Sequence, residues 1–158
     1  MNAINRMWWT ITTLALISCT ARFASAAEPP ANPCSLLPTA VVSQMLGAKY
    51  SGPDKSVAPR PSPNSAEGTD CTYKSPRNNL VFRVYVDPST KAATDLFAKL
   101  KLYFGSGSTP VTNLGDEAYT DAKHGLHVRK GKVRFFVDGG GTTDQQRLAL
   151  AAGIAGQL

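Results

Sequence analysis

The chain has 158 residues, 42% of them hydrophobic, and a formal net charge of +6, enough for one domain with one modest core. A sequence pI near 9.4 suits adhesion to an anionic envelope surface, but no basic helix or aromatic-rich RNA-binding motif is present, which argues against nucleic acid as a partner. Gly-x-Gly-x-x-Gly, a phosphate-binding loop and Gly-x-Ser-x-Gly are all missing, and the GSGS at 105–108 has the wrong glycine spacing for any of them, so the common nucleotide-binding and serine-hydrolase classes are set aside.

In chain order, the first element reads as a leader. Met1 to Arg6 carries one positive charge, and Met7 to Ser18 is an apolar run of twelve residues. That is too short for a bilayer and suits the apolar region of a signal peptide. Ala24-Ser25-Ala26 has the small-x-small pattern of cleavage before Ala27, whereas Leu16-Ile17-Ser18-Cys19 resembles a lipobox that would place a lipid on Cys19. Cleavage after Ala26 is the preferred expectation: a signal peptide over 1–26 and a single secreted α+β domain over 27–158, in a bacterial periplasm or outside the cell. The lipobox alternative makes it a membrane-anchored lipoprotein. Losing residues 1–26 removes Arg6 and Arg22 and no acid, so the charge falls from +6 to +4.

That cleavage also removes Cys19 and leaves Cys34 and Cys71, which in an oxidising compartment are expected to form a disulfide. Between them lies GPDKSVAPRPSPNSAEGTD, so 51–70 is expected to be a Pro/Ser/Gly-rich loop without structure of its own. Tying its ends stabilises the fold by roughly 3 to 4 kcal/mol in the chain-entropy description. Redox catalysis lacks its Cys-x-x-Cys spacing.

Three helices and about five strands follow. Thr39 can cap a short helix with Val41, Val42, Met45 and Leu46 as its apolar positions, ended by Gly47. Cys71 to Lys74 is a short strand. Leu80, Phe82, Val84 and Val86 alternate with Val81, Arg83 and Tyr85, a strand with the first set on the core face. Pro88-Ser89 opens a helix carrying Ala93, Leu96, Phe97, Leu100 and Phe104, ended by Gly105. Thr143-x-x-Gln146 is a capping-box pattern for a final helix with Leu148, Ala151, Ala152, Ala155 and Leu158 on one face. RVYVDPSTKAA and RFFVDGGGTTDQQ echo each other as strand, turn and helix, which favours an antiparallel sheet with its helices packed on one face.

The densest chemistry lies in VTNLGDEAYTDAKHGLHVRKGKVRFFVDGGG, residues 111–141. A two-residue loop at Lys130-Gly131 sets Arg129 opposite Lys132, Val128 opposite Val133, His127 opposite Arg134 and Leu126 opposite Phe135. A three-residue loop at 123–125 pairs Ala122 with Leu126 and Asp121 with His127. Leu126, Val128, Val133, Phe135 and Val137 then face the core with Ala118, Thr120 and Ala122. The outer face shows Tyr119, Asp121, His127, Arg129, Lys132, Arg134 and Phe136, with Asp121, His127 and Arg134 in a transverse row. Such a row serves a carboxylate-oriented base or an anion-binding ladder. It equally serves a solvated sheet face whose charges pair for roughly 0.2 to 1 kcal/mol each. This register places no Ser or Cys beside His127, so the surface role is preferred.

Other constellations are weaker. Asp116 and Glu117 are neighbours and point to opposite faces of a strand. His124-x-x-His127 spans a loop and a strand and lacks the further ligands a zinc site needs. No cofactor or metal is expected.

The series Pro33-Cys34-Ser35-Leu36-Leu37, Gly47, Cys71-x-Tyr73, Leu114-Gly115-Asp116-Glu117-Ala118-Tyr119, Val128-Arg129-Lys130-Gly131 and an alanine-rich last helix resembles a family of small exported bacterial lipoproteins and envelope proteins of unknown function. It is also distantly similar to extracellular sensor domains of actinobacterial serine/threonine kinases. The resemblance implies a compact secreted α+β domain with a Cys–Cys bond and no established catalytic residues. The expected function is a non-enzymatic exported domain that binds an anionic envelope component or a partner protein. The alternatives are a small hydrolase or transferase using His127 and Asp121, and an inhibitor-like protein.

Overall fold

The structure, a computed structural model, describes residues 29–158 except 62, 64, 105, 106 and 124. The leader, with its Ala26–Ala27 junction and Cys19, and His124 lie outside the described residues. Among those described, no helix is long and apolar enough to cross a membrane.

A 3-10 turn, Pro33–Leu36, leads into α1 (Thr39–Leu46), whose C-cap Gly47 takes the left-handed conformation that ends helices. Pro38 occupies the N-cap, and Thr39, expected there, starts the helix and donates its hydroxyl to Gly52 O. Then come β1 (Ser51–Ala58), β2 (Gly68–Lys74), β3 (Asn79–Val86), α2 (Thr90–Phe104), β4 (Thr109–Val111), β5 (Glu117–Thr120), β6 (Leu126–Lys130), β7 (Val133–Gly139) and α3 (Asp144–Ala155). The strands make one antiparallel sheet in the order β1-β2-β3-β7-β6-β5-β4.

The class, α+β with three helices on an antiparallel sheet, is as expected; the sheet has seven strands where about five were predicted. The two missed strands, β1 and β4, are the sheet's edges. β1 overturns the expectation that 51–70 is all loop: it is mostly exposed and lacks apolar periodicity, yet it pairs with β2 from Ser51↔Lys74 to Ala58↔Gly68. Backbone hydrogen bonds hold it, and those leave no trace in side-chain patterning. Each edge carries a proline, Pro53 at a register shift in β1 and Pro110 in β4, positions where a missing N–H costs least and further strand addition is discouraged. Cys34 and Cys71 stand at disulfide distance, with 5.6 Å between their Cα atoms, joining the 3-10 turn to β2.

The expectation that all helices pack on one face is overturned: they cover both. On one side α1 and α3 pack with Cys34, Leu36 and Leu37 over Tyr73, Leu80, Phe82, Val128, Phe135 and Val137, the main apolar core. α3 starts with the expected capping box between Thr143 and Gln146. Its buried face is Arg147, Leu150, Ala151 and Ile154, whereas Leu148, placed inward by the sequence pattern, is 37% exposed.

On the other side, α2 crosses β7 and β6 because it must carry the chain from central β3 to the far edge at β4. Ser89 Oγ accepts from Ala92 N at its start. Its Ala93 and Phe97 are buried, Phe97 edge-on to Tyr119 with ring centroids 5.1 Å apart. The cause is in the strands: Tyr85, Tyr119 and Phe136 occupy the positions of the supposedly solvated face and need cover of their own.

Candidate functional site

Both hairpins of the 111–141 run sit one pair away from their predicted registers. The β6–β7 loop is Gly131-Lys132, giving Val128↔Phe135, His127↔Phe136 and Arg129↔Arg134. Gly131 adopts φ 56, and the first position of a two-residue hairpin loop requires a positive φ, which glycine supplies at least cost and Lys130 would not. Apolar alternation could not choose, because both registers put the same residues inward. In the β5–β6 hairpin, Tyr119 faces His127 and Thr120 faces Leu126. Asp121 has left the ladder to cap the turn: its Oδ1 accepts from Lys123 N at 2.8 Å and Gly125 N at 3.0 Å.

The predicted transverse row is therefore broken up. Asp121 and His127 do meet, Oδ2 to Nε2 at 2.9 Å. Arg134 goes elsewhere, donating Nε (2.5 Å) and Nη2 (3.0 Å) to the two oxygens of Asp87, with its guanidinium 4.9 Å above the Tyr85 ring. Arg129 donates to Asp116, which also accepts from Gly131 N. Lys132 lies in the turn, where its carbonyl accepts from Asp87 N. Glu117 meets Lys101 of α2 at 3.4 Å.

The face expected to be open is buried. Tyr119 is 0% exposed, Arg134 2%, Asp121 and His127 8% each and Arg129 9%, since α2 lies across them. Tyr119 stacks on His127 at 4.6 Å and 11°, and Phe136 and Phe104 close on the imidazole at 4.6 and 5.0 Å. Gly125 is needed here: a Cβ would stand 2.4 Å from the Phe136 ring and 2.9 Å from Asp121 Oδ2.

Beside this cluster runs an open groove of about 750 Å³. Its floor is Arg83 and Tyr85 of β3, Phe136 and Asp138 of β7, and His127 of β6. One wall is the α2 stripe Leu96, Lys99, Leu100, Tyr103 and Phe104, spaced so that one helix side faces the opening. The other is Pro59-Arg60-Pro61, held by the Tyr85 hydroxyl donating to Pro59 O at 2.8 Å. Asp121, Lys123 and Gly125 close one end. Of the predicted binding set, Asp121, His127 and Phe136 reach the groove; Tyr119 lies beneath His127, and Arg129, Lys132 and Arg134 are not among its lining.

Burial pushes the His127 imidazole below its ordinary 6.5; Asp121 and Asp138 oppose this and Arg83 adds to it. Burial raises the Asp121 carboxyl, but the donors His127, Lys123 N and Gly125 N outweigh that and leave it below its ordinary 3.8. A carboxylate only accepts, so Nε2 of neutral His127 carries the hydrogen and Nδ1 keeps a lone pair. No protein donor meets Nδ1 among the described residues. Burial also raises the Tyr119 phenol, whose hydroxyl has no hydrogen-bond partner there. The site can thus accept a hydrogen bond, or take a proton, at one fixed nitrogen set among aromatic rings.

Among the described residues no serine, threonine or cysteine lines this groove, and no cluster of three or more His, Cys, Asp or Glu could hold a metal. The groove's α2 wall and its Pro59–Pro61 wall were not read from the sequence. One signal was available: α2 carries Leu96, Leu100, Leu102, Tyr103 and Phe104, more apolar surface than one docked face consumes. Comparison of the chain with protein-family models and with curated proteins finds no match.

Proposed function

We propose that this protein is a non-enzymatic exported domain of a bacterial envelope, and that it binds its ligand in the groove between α2 and the β3–β7–β6 floor. One observation carries the reading: a concavity of about 750 Å³, walled largely by leucine, proline and aromatic side chains, has among its few polar groups the His127 imidazole, held in place by Asp121. Ligand sites generally have this make-up, a mostly apolar hollow with a few placed polar groups. Export is supported by the leader pattern at 1–26 and by the cysteine pair at disulfide distance.

A second reading, a small hydrolase, is favoured by the Asp121–His127 pair itself, in which a carboxylate orients an imidazole that lines the groove. It would have to activate water directly, since no hydroxyl or thiol nucleophile lines the groove among the described residues. Binding needs no such addition and is preferred.

The test is titration of the ¹⁵N-labelled protein with the neutral amphiphile 1-decanol. Amide shifts concentrated at Leu100, Gly125 and His127 are expected. Tyr103→Ala, at a residue 84% exposed, should weaken the effect several-fold, and Leu100→Arg should remove it. Shifts scattered over the α1–α3 side, or none, would refute the groove. Hydrolysis of a decanoate ester that is abolished in His127→Ala would replace binding with catalysis.

A further inference from the structure

We infer that the ligand is an anionic amphiphile: an apolar chain or ring carrying one carboxylate or phosphate group. The inference rests on the groove being the ligand site and adds the chemical class of what fills it. Four cationic side chains line the groove, Arg60, Arg83, Lys99 and Lys123, against the carboxylates of Asp121 and Asp138. The partners of these groups sharpen the imbalance.

Arg83 is committed to a two-pronged bond with Asp70 at 2.6 and 2.8 Å, and Asp121 is consumed by three donors. Arg60 is only loosely engaged, 3.7 Å from Glu67 with both side chains more than half exposed. Lys99 and Lys123 form no salt bridge among the described residues, although the Asp95 carboxylate one turn earlier on α2 senses the Lys99 charge. Two lysines outside any salt bridge and a loosely held arginine therefore face one lining carboxylate, Asp138, so the groove attracts negative charge. A second cation would enter against that field.

The mouth supplies the apolar half. Leu102 is 81% and Tyr103 84% exposed, with Phe104 at 38% beside them. Tyr103 and Phe104 stand at the end of α2, past its buried Ala93 and Phe97, with Phe104 also against the His127 ring. With Leu96 and Leu100 these two rings form an apolar track along the groove wall, whereas Leu102 is not part of its lining. Such a track suits a hydrocarbon body that leaves water as its head settles among the lysines. The same chemistry is offered by a free single-chain acid and by an anionic lipid at a bilayer surface.

Calorimetric titration of the full chain with decanoate, 1-decanol and decyltrimethylammonium, all below micelle formation, separates head-group charge from chain. Decanoate is expected to bind at least about tenfold more tightly than the cation, with an affinity that falls as salt rises. Lys99→Glu with Lys123→Glu, both at exposed positions, should erase that preference while decanol binding persists. Equal or tighter binding of decyltrimethylammonium overturns the anion class and leaves the groove standing. Failure of all three compounds overturns both. Co-sedimentation with phosphatidylglycerol vesicles but not phosphatidylcholine vesicles, lost in the double variant, assigns the anion to a bilayer lipid; decanoate selectivity without vesicle binding assigns it to a free acid.

Discussion

The two faces of this one sheet solve the same problem with different chemistry. Against α1 and α3, Leu80, Phe82, Val128, Phe135 and Val137 pack as a dry apolar layer. Under α2, buried positions carry Arg134 with Asp87 and His127 with Asp121, set among Tyr85, Tyr119 and Phe136, while buried Arg129 reaches the exposed Asp116. The first face needs only volume and shape. The second needs every charge met, and it leaves a groove where α2 overhangs the strands instead of sealing them. A buried paired charge adds little net stability compared with an apolar replacement, but it is costly once its partner goes. The polar face is thus the one where single substitutions discriminate between structure and function.

The largest effect expected on that face is from Asp87→Ala. It strands the Arg134 guanidinium, 2% exposed, without its carboxylate, at a cost of about 3 to 5 kcal/mol. Phe82→Ala on the apolar face should cost a similar amount, about 3 to 5 kcal/mol, through lost burial and a cavity. Urea unfolding of the two variants compares the faces directly. A loss below about 1 kcal/mol for Asp87→Ala would mean that the polar face is solvated like an ordinary surface pair.

His127→Ala comes next. It removes a ring packed among three aromatics and leaves Asp121 Oδ2 without its donor, which should cost about 1 to 3 kcal/mol near neutral pH. The pH dependence separates it from simple truncation. Folding lowers the imidazole pKa below 6.5, so the unfolded chain binds that proton more readily. This contribution to stability is whole above 6.5 and declines as pH falls from there through the lower folded value. Asp121, also depressed on folding, adds a second decline as pH falls below 3.8. Unfolding free energies at pH 7.5 and 5.0 should differ less in the variant than in the parent; an equal difference would place the titration elsewhere.

The smallest effect belongs to the groove's mouth. Tyr103→Ser should change stability by no more than about 0.5 kcal/mol, as substitutions at exposed sites do. A marked loss would show that Tyr103 packs for folding and is not held out for a ligand.

Much of the apolar face was legible in the chain. Period-two alternation in 80–86 and the inward set Leu126, Val128, Val133, Phe135 and Val137 are where the sequence places them, because a residue's side of a strand follows from parity alone. α3's capping box was equally plain, being local. Its buried face was misjudged because alanine on an alanine-rich helix marks no side. The outer face of the meander was misread for a related reason. Tyr119, His127 and Phe136 look amphipathic in isolation, and only the cover above them settles whether such residues are wet or dry.

By itself, then, the sequence determined the class of fold, the inward parity of the central strands and the choice of Cys34 and Cys71 as a pair; it put Asp121 beside His127, though by a register the turn does not keep. These depend on local geometry, on composition or on short hairpins. The tertiary structure decided the edge strands β1 and β4, the departure of Arg134 to Asp87, and the passage of α2 over β7 and β6. Backbone pairing at an edge is blind to side chains, and an ion pair 47 positions apart in sequence exists only once the chain has folded back. The groove arises from that same crossing: its walls come from segments that no sequence spacing relates, brought together because central β3 and edge β4 must be joined across the sheet.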